Sequence, residues 1–277
     1  MGYTDELLHR VQSIEFGILK DFKDFCQKSR LHYFLIGGTL LGAVRHGGFI
    51  PWDDDIDVGM ERSEYERFIR IWQEKHWETQ GKYYLQCKEI DEKTPMPYAK
   101  LRRNGTVFIE KETVDTDQHK GFFIDIFPFD FIPSKVSVLF RLKYIFFKFL
   151  TIVSEYKNGY RGFSNNAKRL LCFAFSGLSF KTINRFQYRF MTQFRDSGCN
   201  CITSIASGYG YMRHCSEKSN FCGGGSILFC GEQFECPVDN DRYLTHLFGP
   251  HYMELPPIEK RVTNHNVLSI QFPEESD

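Results

Sequence analysis

Four aspartates fall within five residues: Asp53, Asp54, Asp55 and Asp57. Carboxylates this close repel one another, and aspartate is a poor strand former. With the two-residue period of an extended chain, Asp53, Asp55 and Asp57 share one face, and Asp54, Ile56 and Val58 take the other. Neighbours on one face lie about 6.6 Å apart at Cα, close enough for both side chains to reach one cation. Hard oxygen ligands of this kind suit Mg²⁺ or Mn²⁺, usually shared with substrate phosphates. An acidic surface turn would need neither Ile56 and Val58 behind the acids nor the upstream Gly37-Gly38 pair. That pair follows an apolar strand and precedes a short helix beginning at Thr39. There glycine lets backbone amides approach a phosphate at the positive end of the helix.

A Gly-Gly turn before two acids spaced one residue apart resembles the nucleotidyltransferase fold, in which a third acid stands on a neighbouring strand. Asp125 is the natural third candidate. It is a lone charge in the apolar run Phe122–Pro128, an expensive placement unless a cation or hydrogen-bond donors compensate it. The longer run GGTLLGAVRHGGFIPWDDDIDV, residues 37–58, resembles the signature of the LicD family, which is related to fukutin. The resemblance continues through Tyr98–Arg102, through Asp125–Asp130, and into Leu255-Pro256-Pro257 with Lys260, Arg261 and His265. It is weaker over 135–195 and the cysteine-rich segment. Phe248-Gly249-Pro250 stands where the family reads Tyr-Gly-Asp, and no role is assigned there.

The resemblance implies a phosphocholine transferase acting from CDP-choline onto a teichoic acid or lipopolysaccharide glycan, or a lipid-linked glycan. In that reading Asp55 and Asp57 hold Mg²⁺ or Mn²⁺ against the diphosphate. Asp125 completes the metal shell or accepts the hydroxyl proton. Gly37, Gly38 and Thr39 form the phosphate turn, and Arg45, Lys100, Arg102, Lys260 and Arg261 are candidate phosphate clamps. His46 and His265 are candidates to bond phosphate. Trp52 can stack on cytosine or hold a quaternary ammonium.

The elements that must position these groups follow from periodicity. Apolar residues from Leu7 to Cys26 recur at three- and four-residue steps, which predicts a long first helix. Tyr33–Ile36 reads as a buried strand, Thr39–Val44 as a short helix and Asp55–Met60 as a half-buried strand. Ser63 and Glu66 form a capping-box pattern opening a helix to about Lys75. Tyr83–Cys87, Tyr98–Arg102, Val107–Glu110 and Phe122–Phe127 read as further strands. The expected architecture is α+β, a mixed sheet flanked by helices, with a catalytic core over 1–134. A basic helical insertion follows over 135–195, and 196–277 completes the site. Val136–Val153 predicts a helix with Ser137, Arg141 and Lys148 on one narrow face. The wide apolar face would hold Val138, Leu139, Ile145, Phe146, Phe149 and Ile152.

Charge is unevenly spread within a neutral chain of 35 basic and 35 acidic residues. Residues 135–195 hold twelve Lys and Arg against the single acid Glu155 and are rich in Phe. Basic plus aromatic suits peripheral membrane contact or an anionic polymer, and competes with plain burial of the helix against the core. The balanced total disfavours a nucleic-acid binder. No apolar run reaches the roughly 18 residues of a spanning helix. The acidic start and nine cysteines, an odd number, suggest a cytoplasmic protein with free thiols, and the basic segment would allow a peripheral place on the inner face of the cell membrane. Six cysteines between Cys199 and Cys236 raise zinc, but their spacings match no paired Cys-x-x-Cys knuckle. Two rivals to the transferase reading are nucleotidyl transfer on the same fold and a non-enzymatic glycan or membrane adaptor, which would have no use for the acids.

Overall fold

The computed structural model describes residues 4–75, 81–160, 162, 166–263 and 265–273. In chain order the elements are α1 (Asp5–Ser29), β1 (Phe34–Leu35), α2 (Gly37–His46), β2 (Asp57–Glu61), α3 (Arg62–Lys75), β3 (Tyr83–Gln86), β4 (Ala99–Arg103), β5 (Val107–Glu110) and β6 (Phe123–Ile132). Three helices follow, α4 (Val138–Lys157), α5 (Asn166–Phe175) and α6 (Phe180–Met191). The rest is β7 (Cys201–Thr203), β8 (Ser216–Glu217), α7 (Lys218–Cys222), β9 (Gly225–Phe229), β10 (Glu232–Cys236), α8 (Asn240–Phe248) and β11 (Val267–Gln271).

The main sheet runs β1-β2-β6-β4-β3, with β7 continuing on β6 and β8 on β7. Among the described residues only β2 and β6 pair in parallel. The fold is thus α+β with a mixed, helix-flanked sheet. β6 is long because it changes partner midway. It pairs β4 up to Ile126 and β7 from Asp130. Pro128 falls in the gap between them, where its missing N–H leaves no ladder bond unmade. The strand therefore runs through the proline to Ile132, past the end at Phe127 that the sequence suggests.

α1 starts as its sequence dictates: the Thr4 hydroxyl accepts from Leu7 N, and Asp5 and Glu6 occupy the positive first turn. It buries Leu8, Val11, Ile18, Leu19 and Phe22 against the sheet. Three local expectations change. β2 begins at Asp57, not Asp55, because Asp53–Ile56 runs irregularly into it. α2 includes the glycine pair as its first turn. The Ser63–Glu66 capping box does not form. Ser63 donates instead to Glu61, and Glu66 receives Tyr188 and Arg195.

One hydrophobic core joins residues from α1 through α8 and β11, including Phe140 and Phe147 of α4 and Met191 of α6. A small second cluster of Leu150, Val153, Cys172 and Ile183 binds α4, α5 and α6 together. The buried face of α4 is Phe140, Phe147, Leu150 and Val153, not the wide face expected from its sequence. Val138, Leu139 and Ile145 are exposed. Ser137 caps the helix by accepting from Phe140 N, and Lys148 reaches Ser207 O. The nine cysteines are free thiols, and Arg161 lies outside the described residues.

Arg62, at the start of α3, donates Nε and Nη2 to both oxygens of Asp130 on β6 at 2.8 and 2.7 Å, with both side chains buried. Removing one partner of such a pair leaves an uncompensated charge worth about 3–5 kcal/mol. Arg62→Ala should lower unfolding free energy by about that much in denaturant titration. Arg62→Met with Asp130→Leu should recover most of the loss.

Candidate active site

β1 delivers the chain into α2 at Gly37, whose φ of +56° favours glycine. A Cβ on Gly37 would stand 3.1 Å from Asp57 Oδ2, and one on Gly38 would stand 2.7 Å from Asp53 Oδ2. The glycine pair is therefore what lets the helix start press against the carboxylates. Gly37 N donates to Tyr243 Oη at 3.4 Å, so this amide serves α8. Thr39 Oγ1 accepts from Asp57 N at 2.8 Å and pins the start of β2. Behind the acidic stretch, Gln12 of α1 donates to Asp53 O at 2.8 Å.

The parallel register sets Asp57 opposite Asp125, and the antiparallel register on the other side of β6 sets Lys100 opposite Asp125. Lys100 Nζ donates to Asp125 Oδ1 at 2.6 Å. Asp55, Asp57, Asp125, Lys100, Arg102 and His265 all line one cavity of about 350 Å³. Arg102 is held by Gln86 Oε1 at 2.5 Å and Gly121 O at 2.9 Å. Burial brings its guanidinium down to about 10.

Crowding shows in the acids. Burial and then repulsion from Asp55 push Asp53 well above the usual carboxylate range. Asp57 rises for the same two reasons, with Asp125 adding to them. Asp55 rises through burial, with His265 opposing. Glu15 on α1, buried behind the cluster, is raised well above its ordinary value by burial and then by Asp55, Asp54 and Asp53. His265 answers this charge: Nδ1 lies 3.1 Å from Asp54 Oδ1 and Nε2 lies 3.2 Å from Glu110 Oε1. Burial opposes its protonation, but Asp54 and then Glu110 outweigh burial and lift it to about 9.

The cavity also takes residues that no sequence motif announced. Ser207 Oγ and His214 Nε2 are 2.9 Å apart, and His214 Nδ1 and Tyr243 Oη are 2.7 Å apart. The relay ends at Gly37 N beside Asp57. Burial lowers His214 to about 4 and keeps it neutral. Tyr98, stacked on Phe127 at 4.3 Å, joins Tyr160 and Tyr209 in the wall. For Glu15 and Gln12 a signal existed, since both are polar residues at apolar-face positions of α1. Ser207, His214 and Tyr243 carry none, because only the fold joins them.

Eight candidates do not line the cavity: Gly37, Gly38 and Thr39, which shape and pin the acidic stretch from behind, and Arg45, His46, Trp52, Lys260 and Arg261. Arg45 donates to Tyr252 O at 2.9 Å, to Glu254 O at 3.2 Å and to His46 Nε2 at 2.9 Å. Arg261 lies 5.4 Å from the Trp52 ring and donates to Pro256 O. This cluster ties the 252–261 loop to the end of α2. Lys260 sits exposed on the 3₁₀ turn Ile258–Lys260.

Can these residues hold a divalent cation? Among the described residues no three His, Cys, Asp or Glu side chains are arranged to hold a metal ion unaided. The described cysteines form no such group either. Mg²⁺ is usually held by one or two carboxylates with substrate oxygens completing its shell, which does not require a closed cage. The donor set fits: hard oxygens, crowded enough that burial and repulsion lift Asp55 and Asp57, which a cation would relieve.

Residues 30–148 match the family model described as "LicD/FKTN/FKRP, nucleotidyltransferase domain". The chain is 31% identical over 264 residues to the lipopolysaccharide cholinephosphotransferase LicD of Haemophilus influenzae, covering 93% of this chain and 96% of that protein. The chain belongs to the LicD family. It is also 60% identical over 30 residues to the human ribitol 5-phosphate transferase FKRP, a stretch that is 11% of this chain and 6% of that protein. A Rickettsia typhi protein of unassigned function is 41% identical over 56 residues, 20% of this chain and 18% of that protein.

A group whose folded value is raised stabilises the fold below its unfolded value and loses that contribution as pH climbs through the folded one. For His265 the window runs from about 6.5 to about 9. Wild-type melting temperature should therefore fall across that window, and His265→Gln should flatten the fall. Because His265 also holds Asp55 and Asp53 down, the difference between the two profiles reports His265 together with its coupling to those acids.

Proposed function

We propose that this LicD-family protein transfers phosphocholine from CDP-choline to a hydroxyl of a cell-surface glycan, a lipopolysaccharide or teichoic acid precursor, and releases CMP. The register that sets Asp57 beside Asp125, with Asp55 in the same cavity wall, carries the chemistry. The near-full-length similarity to a lipopolysaccharide cholinephosphotransferase supports the substrates.

Asp55, Asp57 and Asp125 would hold Mg²⁺ or Mn²⁺, which when bound neutralises charge on the diphosphate and on the departing CMP. Lys100 and Arg102 add fixed positive charge on the same wall, and Lys100 directs Asp125 through its Oδ1. The glycan hydroxyl attacks the phosphorus that bears choline. The bond from that phosphorus to the bridging oxygen breaks, and CMP leaves with its electron pair. The hydroxyl proton passes to solvent or to a cavity carboxylate, Asp125 being the candidate if it does not ligate the cation. Tyr98, Phe127, Tyr160 and Tyr209 offer ring faces for the quaternary ammonium, a role for which Trp52, already covered by Arg261, is poorly placed.

The short similarity to ribitol 5-phosphate transferases favours one second reading, transfer of another phospho-alcohol by the same residues.

CDP-choline incubated with lipopolysaccharide or teichoic acid glycan should give CMP and choline-bearing glycan, and EDTA should stop it. A nucleotidylated product would replace the reading with nucleotidyl transfer. Turnover of CDP-ribitol in place of CDP-choline would establish the second reading. Asp57→Asn should lower the rate by at least about a hundredfold. Because repulsion on Asp57 is removed, the same variant should melt higher than wild type at neutral pH in EDTA. Full activity in Asp57→Asn would overturn the mechanism.

A further inference from the structure

Helices α4 and α5 turn apolar side chains outward. On α4, Val138, Leu139, Leu142 and Ile145 are 59–73% exposed, and on α5 Leu170, Leu171 and Phe173 are 50–70% exposed. At about 100° per residue, Val138, Leu139, Leu142, Ile145 and Phe146 form one stripe on α4, flanked on its two sides by Arg141 and Lys143. The C-terminal continuation of that stripe is covered by α5 through Phe149–Phe175 ring contact at 5.0 Å and burial of Cys172. α5 then repeats the arrangement. Cys172 points inward, Leu170 points nearly opposite, and Leu171 and Phe173 lie to either side of it. The helix is apolar on its outward face.

Charge says what fits this surface. The segment's single acid, Glu155, lines the catalytic cavity and leaves the outward surface without an acid. Arg141 and Lys143 beside the stripe are exposed, as are Lys168 and Arg169 of α5 and Lys181 and Arg185 of α6. Among the described residues none of the six has an ion-pair partner. Facing a second copy across a two-fold axis, these cations would oppose one another. An anionic layer of apolar interior matches both features, because long basic side chains reach up to headgroups while the stripe enters the acyl boundary. Among the described residues no helix is long and apolar enough to cross a membrane.

We infer that α4 and α5 lie flat on an anionic phospholipid bilayer, with Val138, Leu142, Ile145, Leu170 and Phe173 inserted and Arg141, Lys143, Lys168 and Arg169 at headgroup level. This contact is independent of the transfer chemistry. It would anchor the protein by one helical layer and leave the cavity's acids on another part of the chain.

Vesicle co-sedimentation tests it. The full-length protein should sediment with phosphatidylcholine–phosphatidylglycerol vesicles and far less with phosphatidylcholine alone, and added salt should weaken binding. Leu142→Glu with Leu170→Glu should cut partitioning at least tenfold. Lys168→Ser with Arg169→Ser should cut it roughly tenfold or more on anionic vesicles, at about fivefold per charge. All four positions are exposed, and unchanged circular dichroism and melting temperature would show that each variant folds. Wild-type protein that stays in the supernatant with both vesicle types would overturn the inference. So would full binding by the glutamate variant. A dimer seen by analytical ultracentrifugation that the glutamates dissolve, without any vesicle binding, would assign the face to a second copy instead.

Discussion

Repulsion among carboxylates held away from water is the constraint around which this molecule is arranged. Asp53, Asp55 and Asp57 are each raised by burial and by neighbouring acids, and Glu15 presses from behind. Such a cluster does not form on its own account. It persists because the rest of the fold determines its geometry. Gln12 holds the Asp53 carbonyl, Thr39 holds the Asp57 amide, and the side-chain-free surface of Gly37 and Gly38 makes room for the oxygens. Lys100 and His265 bring positive charge to the edges of the cluster without filling its centre.

The sheet supplies the alignment. β2 and β6 are the parallel pair in an otherwise antiparallel sheet, and that pairing sets Asp57 and Asp125 side by side. β6 can run the ten residues from Phe123 to Ile132 only because its antiparallel neighbour changes at Pro128. Its first half then carries Asp125 into the cavity, and its second half carries Asp130 to the buried Arg62. One strand thus serves both the site and the stability of the core, with the two carboxylates answered by different cations.

The distant segments of the chain cooperate through charge as well as packing. The acidic cleft and the basic helices are separated in sequence, yet Glu155 and Lys148 of α4 reach the cavity and its Ser207 loop. The same helix packs Phe140 and Phe147 into the main core. Residues 196–277 contribute Ser207, Tyr209, His214 and His265 to the cavity wall, and Tyr243 behind it. The site therefore exists only when the chain is folded from near one end to near the other.

Much was legible in the residues themselves. Local repulsion, alternation and a lone charge in an apolar run mark Asp55, Asp57 and Asp125, since their cost is set by near neighbours in sequence. The α+β architecture followed from periodicity for the same reason, as did α1 and β5. The clamps were harder to read. Of five basic residues chosen, only Lys100 and Arg102 face the cavity, because β4 happens to pair with β6. Arg45 and Arg261 instead bind backbone carbonyls and an indole ring. A side chain's charge is written in the sequence, but its direction depends on which element packs beside it. That is why the Ser207–His214–Tyr243 relay and the true buried face of α4 emerged only from tertiary packing, which alone fixes contacts between residues far apart along the chain.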